Sequence, residues 1–232
     1  RGKKSIIIDF KNKEDKKIFK KLLAISDVII DNFKPGTLEK YGFSSSYLKK
    51  NFPSLIQTKI SGFGETGPLK ENPAYDMIVQ AMGGIMSITG KNKNETYRVG
   101  SSIGDIVAGL YAVIGVLTQI IFRNQSKKGS KLDLSMLDCQ VAILENAIAR
   151  YSVEKKIPCP LGTDHPSITP FGAFKTLDGT LAIAVGNDKM FKDFCYSIKN
   201  EELYKKKKYE NNAKRNENLL DLRKDIEYQM KK

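Results

Sequence analysis

Apolar residues in the first third of the chain switch between two spacings. Ser5 to Phe10 is a short apolar run that predicts a strand, and between Lys11 and Ile25 the residues Ile18, Phe19, Leu22 and Leu23 share one helical face. Asp27-Val-Ile-Ile-Asp has the pattern of a buried strand bounded by Ser26 and Asn32. Phe33-Lys-Pro-Gly-Thr then breaks the chain, because Pro35 and Gly36 suit a turn, and a short helix is predicted from Thr37 to Tyr41. Ser44 to Lys50 reads as a second short helix with Ser44 to Ser46 as candidate caps, and Leu55 to Ile60 as a third strand. Strands alternating with helices at this spacing predict an α/β fold with a parallel, doubly wound sheet.

Between Gly62 and Gly104 the chain is rich in glycine and polar turns around one apolar helical segment, Met77 to Met86. A run without charge follows from Ile106 to Phe122. It is at the short limit for a membrane span and is interrupted by Gly109 and Gly115, so it is expected to be a helix buried within a soluble protein. Lys131 to Leu134 reads as a strand and Leu137 to Val153 as an amphipathic helix. Ile157-Pro-Cys-Pro-Leu-Gly-Thr is the expected linker, since its prolines cannot continue a helix. Phe171 to Phe174 and Thr180 to Val185 predict a hairpin around Asp178-Gly179, followed by helices over Asp188 to Ile198 and Leu219 to Met230.

Composition adds limits. The 232 residues are 41% hydrophobic and 28% charged, which suits one or two globular domains. The chain opens at Arg1 without a Met and closes on a charged stretch, so it is expected to be an internal piece of a longer protein. A net charge of +13 raises the possibility of a nucleic-acid-binding module. The excess is mostly scattered lysine, as in Lys11 to Lys21 and Lys205 to Lys208, without the aromatic interleaving of a nucleic-acid platform; solvated helix faces explain it better. Cys139, Cys159 and Cys195 share no metal or redox spacing and suit a reducing compartment, so a cytoplasmic location is expected, with mitochondrial as the alternative. The single histidine, His165, rules out a His-rich metal site in this stretch.

Three motifs compete for the chemistry. Gly62-Phe-Gly-Glu-Thr-Gly follows a predicted strand, but Pro68 comes next and no helix begins at the loop, so a dinucleotide site lacks its context. Gly100-Ser-Ser-Ile-Gly resembles a nucleophile elbow around Ser102, with a short strand at Tyr97 to Val99 before it. Its triad partners would have to be the adjacent Asp164 and His165, and structural glycines around a turn are the simpler reading. Asp105 follows Gly104 just before the long apolar helix. Read from position alone it is either an N-cap or a carboxylate nucleophile held ionised by the helix dipole, with glycines admitting a bulky substrate.

Several segments resemble the family III CoA-transferases, the formyl-CoA and carnitine CoA-transferase group of CaiB/BaiF type. They are Lys4-Ser-Ile-Ile-Ile-Asp-Phe-Lys, Asp31-Asn-Phe-Lys-Pro-Gly-Thr-Leu-Glu-Lys-Tyr-Gly, Ile60-Ser-Gly-Phe-Gly-Glu-Thr-Gly-Pro, Pro73-Ala-Tyr-Asp, Arg98-Val-Gly-Ser-Ser-Ile-Gly-Asp, Leu134-Ser-Met-Leu-Asp, His165-Pro-Ser-Ile-Thr-Pro-Phe and Gly186-Asn-Asp. The resemblance implies a Rossmann-like large domain over residues 1–155, a linker over 156–164 and part of a smaller α+β domain over 165–232. It also implies an interlocked homodimer, with no tightly bound cofactor, nucleic acid or membrane among its partners. The substrates it implies are acyl-CoA and a free carboxylic acid, exchanged through anhydride and thioester intermediates on Asp105.

The CoA pocket implied by the resemblance maps onto Ile8, Lys11, Asn32, Phe33, Lys40, Tyr41, Tyr75, Asp76 and Met136. Lys11 and Lys40 would meet CoA phosphates as point charges, without the fork of an arginine. Phe33 and Tyr41 would flank the adenine, and Met136 would supply an apolar wall. Acyl-CoA racemases of the same fold are the alternative. They place a histidine where this chain has Tyr75, and a phenol of pKa near 10 is a poor proton shuttle at neutral pH.

Overall fold

Asn12 starts the first helix, because its side-chain oxygen accepts from the N–H groups of Glu14 and Asp15. In the computed structural model, which describes residues 2–232 apart from the side chain of Glu145, this is α1 (Lys13–Ala24), with acidic residues in its first turn and Lys21 in its last. The strand expected at Ser5 to Phe10 does not form. None of the described strands pairs with it, and Ile7 is 94% exposed; an apolar run becomes a strand only where a neighbour takes its backbone groups.

The chain then runs through β1 (Val28–Asp31), α2 (Thr37–Lys40), α3 (Ser45–Asn51, capped by Ser44) and β2 (Ile56–Ser61) to α4 (Asp76–Met82). A two-stranded ribbon, β3 (Gly90–Asn92) and β4 (Glu95–Thr96), interrupts before α5 (Ile103–Ser126), β5 (Lys131–Ser135), α6 (Met136–Ala142) and α7 (Glu145–Glu154). The chain divides into two units, Arg1–Ser87 with Tyr97–Pro158, and Ile88–Thr96 with Cys159–Lys232. The ribbon thus belongs with the C-terminal residues, a placement that no local signal announces.

In the first unit β1, β2 and β5 form a parallel sheet in that order, with Asp31 level with Lys59 and Lys59 level with Asp133. Side chains alternate between faces along each strand. Ile29 packs on the cluster of Leu23, Leu38, Phe43, Leu48 and Leu55. Ile60 and Leu134 pack on the opposite cluster of Val79, Val107, Ala108, Met136 and Cys139. Helices therefore cover both faces, and the α/β fold with a parallel sheet stands as read from the spacing.

Two expectations about helices need correction. Leu137 to Val153 is two helices, broken at Ile143 and Leu144, where Leu144 lies against the chain at Gly84. No residue there breaks a helix by its own chemistry, so the pattern could not show it. The apolar helix α5 is not buried all round. Gly104, Val107, Ala108 and Ala112 are buried, but Leu110, Val113, Ile114, Leu117 and Ile121 are exposed, because none of the described residues covers that face. By length and composition alone α5 could cross a membrane. Its last turn is nonetheless tied to the sheet, as Arg123 Nη2 donates to Asp27 Oδ1 at 2.9 Å and Nη1 to the carbonyls of Asp27 and Ser54.

The second unit holds the hairpin β6 (Phe171–Lys175) and β7 (Thr180–Ala184), then α8 (Asp188–Ser197), α9 (Glu201–Lys205), α10 (Asn212–Glu217) and α11 (Leu219–Met230). Its core joins Phe174, Ile183 and Val185 to Phe191, Cys195, Leu203, Tyr209, Leu222 and Ile226. Asp225 accepts from Lys206 Nζ at 2.7 Å and from the Tyr209 hydroxyl at 2.9 Å. Burial alone would raise its pKa, but the hydrogen bonds from Lys206 and Tyr209, with the Lys206 and Lys208 charges, hold it below the usual carboxylate value. A depressed folded-state pKa gives stability that is present above the unfolded value and lost as pH falls through the folded one. Urea unfolding between about pH 5 and pH 2 is expected to show falling stability, and Asp225→Asn to flatten that slope.

Candidate active site

Asp105 is the third residue of α5, in its first turn. It is not the N-cap that its position beside Gly104 suggested; Ser102 holds that place and makes no side-chain capping bond. The helix therefore starts earlier, and Asp105 meets the positive end of the dipole from within the first turn. Its side chain is exposed, and among the described residues its carboxylate makes no hydrogen bond or ion pair. Residues 97–101 form no strand, so Gly100-Ser-Ser-Ile-Gly lacks the strand-turn-helix context of a nucleophile elbow. Likewise no helix starts between Gly62 and Asp76, so the other glycine motif is a plain loop.

The end of the sheet that faces Asp105 follows from α5 itself. Arg123, in its last turn, binds residues just before β1 and β2, at the N-terminal edge of the sheet. A helix of 24 residues is about 36 Å long, whereas the six-residue β2 spans about 20 Å, so the Asp105 end lies toward the C-terminal edge. Asn32 and Phe33 leave β1 there, the loop from Gly62 leaves β2 there, and Met136 follows β5. Ligands of open α/β sheets bind in the crevice outside these strand ends.

The other mapped residues are spread around this edge. Asn32, Phe33, Lys11 and Lys40 are exposed, Ile8 is half-buried in a segment without regular secondary structure, and Tyr75 is 81% exposed at the start of α4. Tyr41 is half-buried and stacked on Phe10 at 5.4 Å between ring centres, with Lys16 Nζ 5.9 Å from its ring. Met136 is buried in the core beside Val107 and Ala108, one turn from Asp105.

Polar groups that the pattern did not single out hold the loops at this edge. Lys59 is buried and lies 3.3 Å from Glu65, which also pairs with Lys131. The Glu65 N–H donates to Asp133 Oδ2 at 2.9 Å, so the loop after β2 is tied to β2 and β5 at once. Burial would raise the Glu65 pKa, but Lys131 and Lys59 together hold it below the ordinary value. Asp31 moves the other way, chiefly through burial. The buried Gln80 is the second omission. A glutamine four residues after Asp76 in an apolar helix was the available signal. Among the described residues no cluster of three His, Cys, Asp or Glu is placed to hold a metal ion.

A parallel sheet covered by helices on both faces, with an exposed carboxylate at a helix start toward its C-terminal edge, is the arrangement in which open α/β domains bind ligands. The family model for CoA-transferase family III matches residues 1–232, and the chain belongs to that family. It is 40% identical over 204 residues to the acetyl-CoA:oxalate CoA-transferase of Acetobacter aceti, covering 88% of this chain and 52% of that protein. To the human succinyl-CoA:glutarate CoA-transferase it is 35% identical over 222 residues, covering 96% of this chain and 51% of that protein. The crystal structure of a CaiB/BaiF family protein from Brucella suis superposes with a TM-score of 0.88 at 38% identity, over 100% of this chain and 61% of that one. The chain spans about half the length of the curated relatives it matches.

Proposed function

We propose that the protein containing this chain moves CoA from an acyl-CoA thioester to a free carboxylic acid, with Asp105 as the covalent nucleophile. The observation that carries the reading is an unpartnered, exposed carboxylate in the first turn of α5, in a chain that belongs to a CoA-transferase family. An Asp105 oxygen attacks the thioester carbon and the C–S bond breaks, leaving an acyl-aspartyl anhydride and CoA thiolate. The thiolate attacks the Asp105 carbonyl, releasing the first acid and forming an aspartyl-CoA thioester. The acceptor carboxylate then displaces CoA thiolate to give a second anhydride. Attack of that thiolate on the acceptor carbonyl yields the new acyl-CoA and returns Asp105 as a carboxylate.

Relatives at 35% to 40% identity are named for oxalate and glutarate, which supports a short dicarboxylate as one of the acids exchanged here. Lys11 and Lys40 are assigned to the CoA phosphates, Phe33 and Tyr41 to its adenine and Met136 to an apolar wall, with Ile8, Asn32 and Tyr75 lining the same pocket. A second copy of the full-length chain completes the enzyme as an interlocked homodimer. The phenol of Tyr75 at the position where racemases carry a histidine speaks against the racemase reading.

The test is to trap the adduct. Full-length enzyme incubated with acyl-CoA and hydroxylamine is expected to carry a hydroxamate on the peptide containing Asp105. An active enzyme whose Asp105 stays unmodified would remove the reading.

A further inference from the structure

Asp76, placed in the CoA pocket by resemblance, has its carboxylate engaged inside the protein. Its Oδ1 accepts from the Gly104 N–H at 2.7 Å, and its Oδ2 accepts from Gln80 Nε2 at 2.8 Å. Gln80 is fully buried, and its Oε1 accepts from the Val99 N–H at 2.8 Å. Two side chains one turn apart on α4 therefore hold both ends of the Val99–Gly104 segment, which delivers Asp105. On the other side Gln140 Nε2 donates to the Ile103 carbonyl at 3.4 Å. Arg98 Nη1 lies 3.9 Å from Asp76 Oδ2 and is the charged group facing the pair.

The approach is close enough to require glycine. A Cβ on Gly104 would stand 2.7 Å from Val79 Cγ2 and 2.9 Å from Asp76 Oδ1. The start of α5 is thus seated on α4 through a part-buried carboxylate and a buried amide, while Asp105, one residue on, is left exposed. A carboxylate with both oxygens accepting from the protein is poorly placed to contact a substrate, and well placed to fix the backbone beside one.

We propose that Asp76 and Gln80 are positioning residues, which set the Val99–Gly104 loop so that the Asp105 carboxylate meets the thioester carbon. The proposal rests on Asp105 being the nucleophile. It predicts a rate effect rather than a binding effect, because reaction rates depend steeply on the placement of the attacking atom, about 100-fold for a shift near 1 Å.

The pair can be tested by exchanging its chemistry. In Asp76→Asn an amide N–H₂ can face the Gln80 N–H₂, and in Gln80→Glu two carboxylates face each other. In the double variant Asp76→Asn/Gln80→Glu every bond is regained. The asparagine oxygen accepts from Gly104, its N–H₂ donates to the glutamate, and the glutamate accepts from Val99. Full-length enzyme would be followed by quenched-flow trapping of the Asp105 adduct and by steady-state kinetics with acyl-CoA.

Each single variant is expected to slow adduct formation by about 10- to 100-fold with KM for acyl-CoA changed less than about threefold, and the double to recover to within about threefold of the parent. Unchanged rates in the single variants, or a double variant as slow as the singles, would overturn the proposal. So would a rise in KM at constant kcat, since that marks Asp76 as a direct CoA contact. Should the single variants fail to fold, the rate of the double decides in the same way. Absence of any adduct in the active parent enzyme is a separate outcome, which removes the nucleophile reading and the positioning role with it.

Discussion

Asp105→Asn is expected to lower turnover of the full-length enzyme by a factor on the order of 10⁴ or more, with its fold and its affinity for acyl-CoA kept. In the proposed cycle the carboxylate supplies the attacking electron pair and later carries the CoA, and a carboxamide oxygen would do neither at a useful rate. The structural cost is small because the group has no partner to lose. Its side chain is exposed and unbonded, and only its attraction to the start of α5 is removed, about 0.3–1 kcal/mol. Single-turnover exchange with labelled CoA, alongside a melting curve and a binding isotherm, separates the two effects. A variant that melts and binds like its parent but exchanges within about tenfold of its rate would show that Asp105 does not act covalently.

Much of the fold around this candidate site was legible in the sequence, and what was missed has physical reasons. The helices and strands of the first 60 residues follow from spacing and punctuation, since Asn12, Ser44, Pro35 and Gly36 each act on their immediate neighbours. Ser5 to Phe10 fails as a strand because pairing is not a local property. The exposed half of α5 fails for the same reason, because an apolar helix reads as buried whether or not anything covers it. Asp105 was visible as a carboxylate beside glycine, but its place within the first turn depends on where Ser102 lets the helix begin. Asp76 was assigned to the CoA pocket by motif, and its hydrogen bonds to residues 4 and 28 positions away lie beyond what a motif shows. Arg215 shows the limit most clearly. In a stretch whose charges read as solvated, it is fully buried, and nothing in the local pattern distinguishes it from its neighbours.

Arg215→Ala is expected to destabilise the second unit by about 3–5 kcal/mol. The guanidinium lies over the Phe191 ring at 4.5 Å and donates from Nε to the Thr169 carbonyl at 2.7 Å, from Nη1 to the Tyr209 carbonyl at 3.2 Å and from Nη2 to Asp188 Oδ1 at 2.7 Å. Asp188 is half exposed and can turn to water, so the ion pair itself is the smaller part of the loss. The larger part is two carbonyls left without this donor and the space left under Phe191. Arg215→Lys keeps the charge but not the fork, and should fall between the parent and the alanine variant.

Cysteine labelling reads the effect locally. Cys195 is fully buried in α8, its thiol pushed up to about 12 by burial, which outweighs the opposing charge of Arg215, so it reacts only when the unit opens. Exposed Cys159 labels at once, and Cys139, buried in the first unit, serves as the reference. At 1.4 kcal/mol per tenfold, labelling of Cys195 should accelerate by about 10²- to 4 × 10³-fold in the alanine variant, provided closing outruns labelling. A rate within about threefold of the parent would mean that the three hydrogen bonds are dispensable, and that the apolar core around Phe191 holds the unit without them.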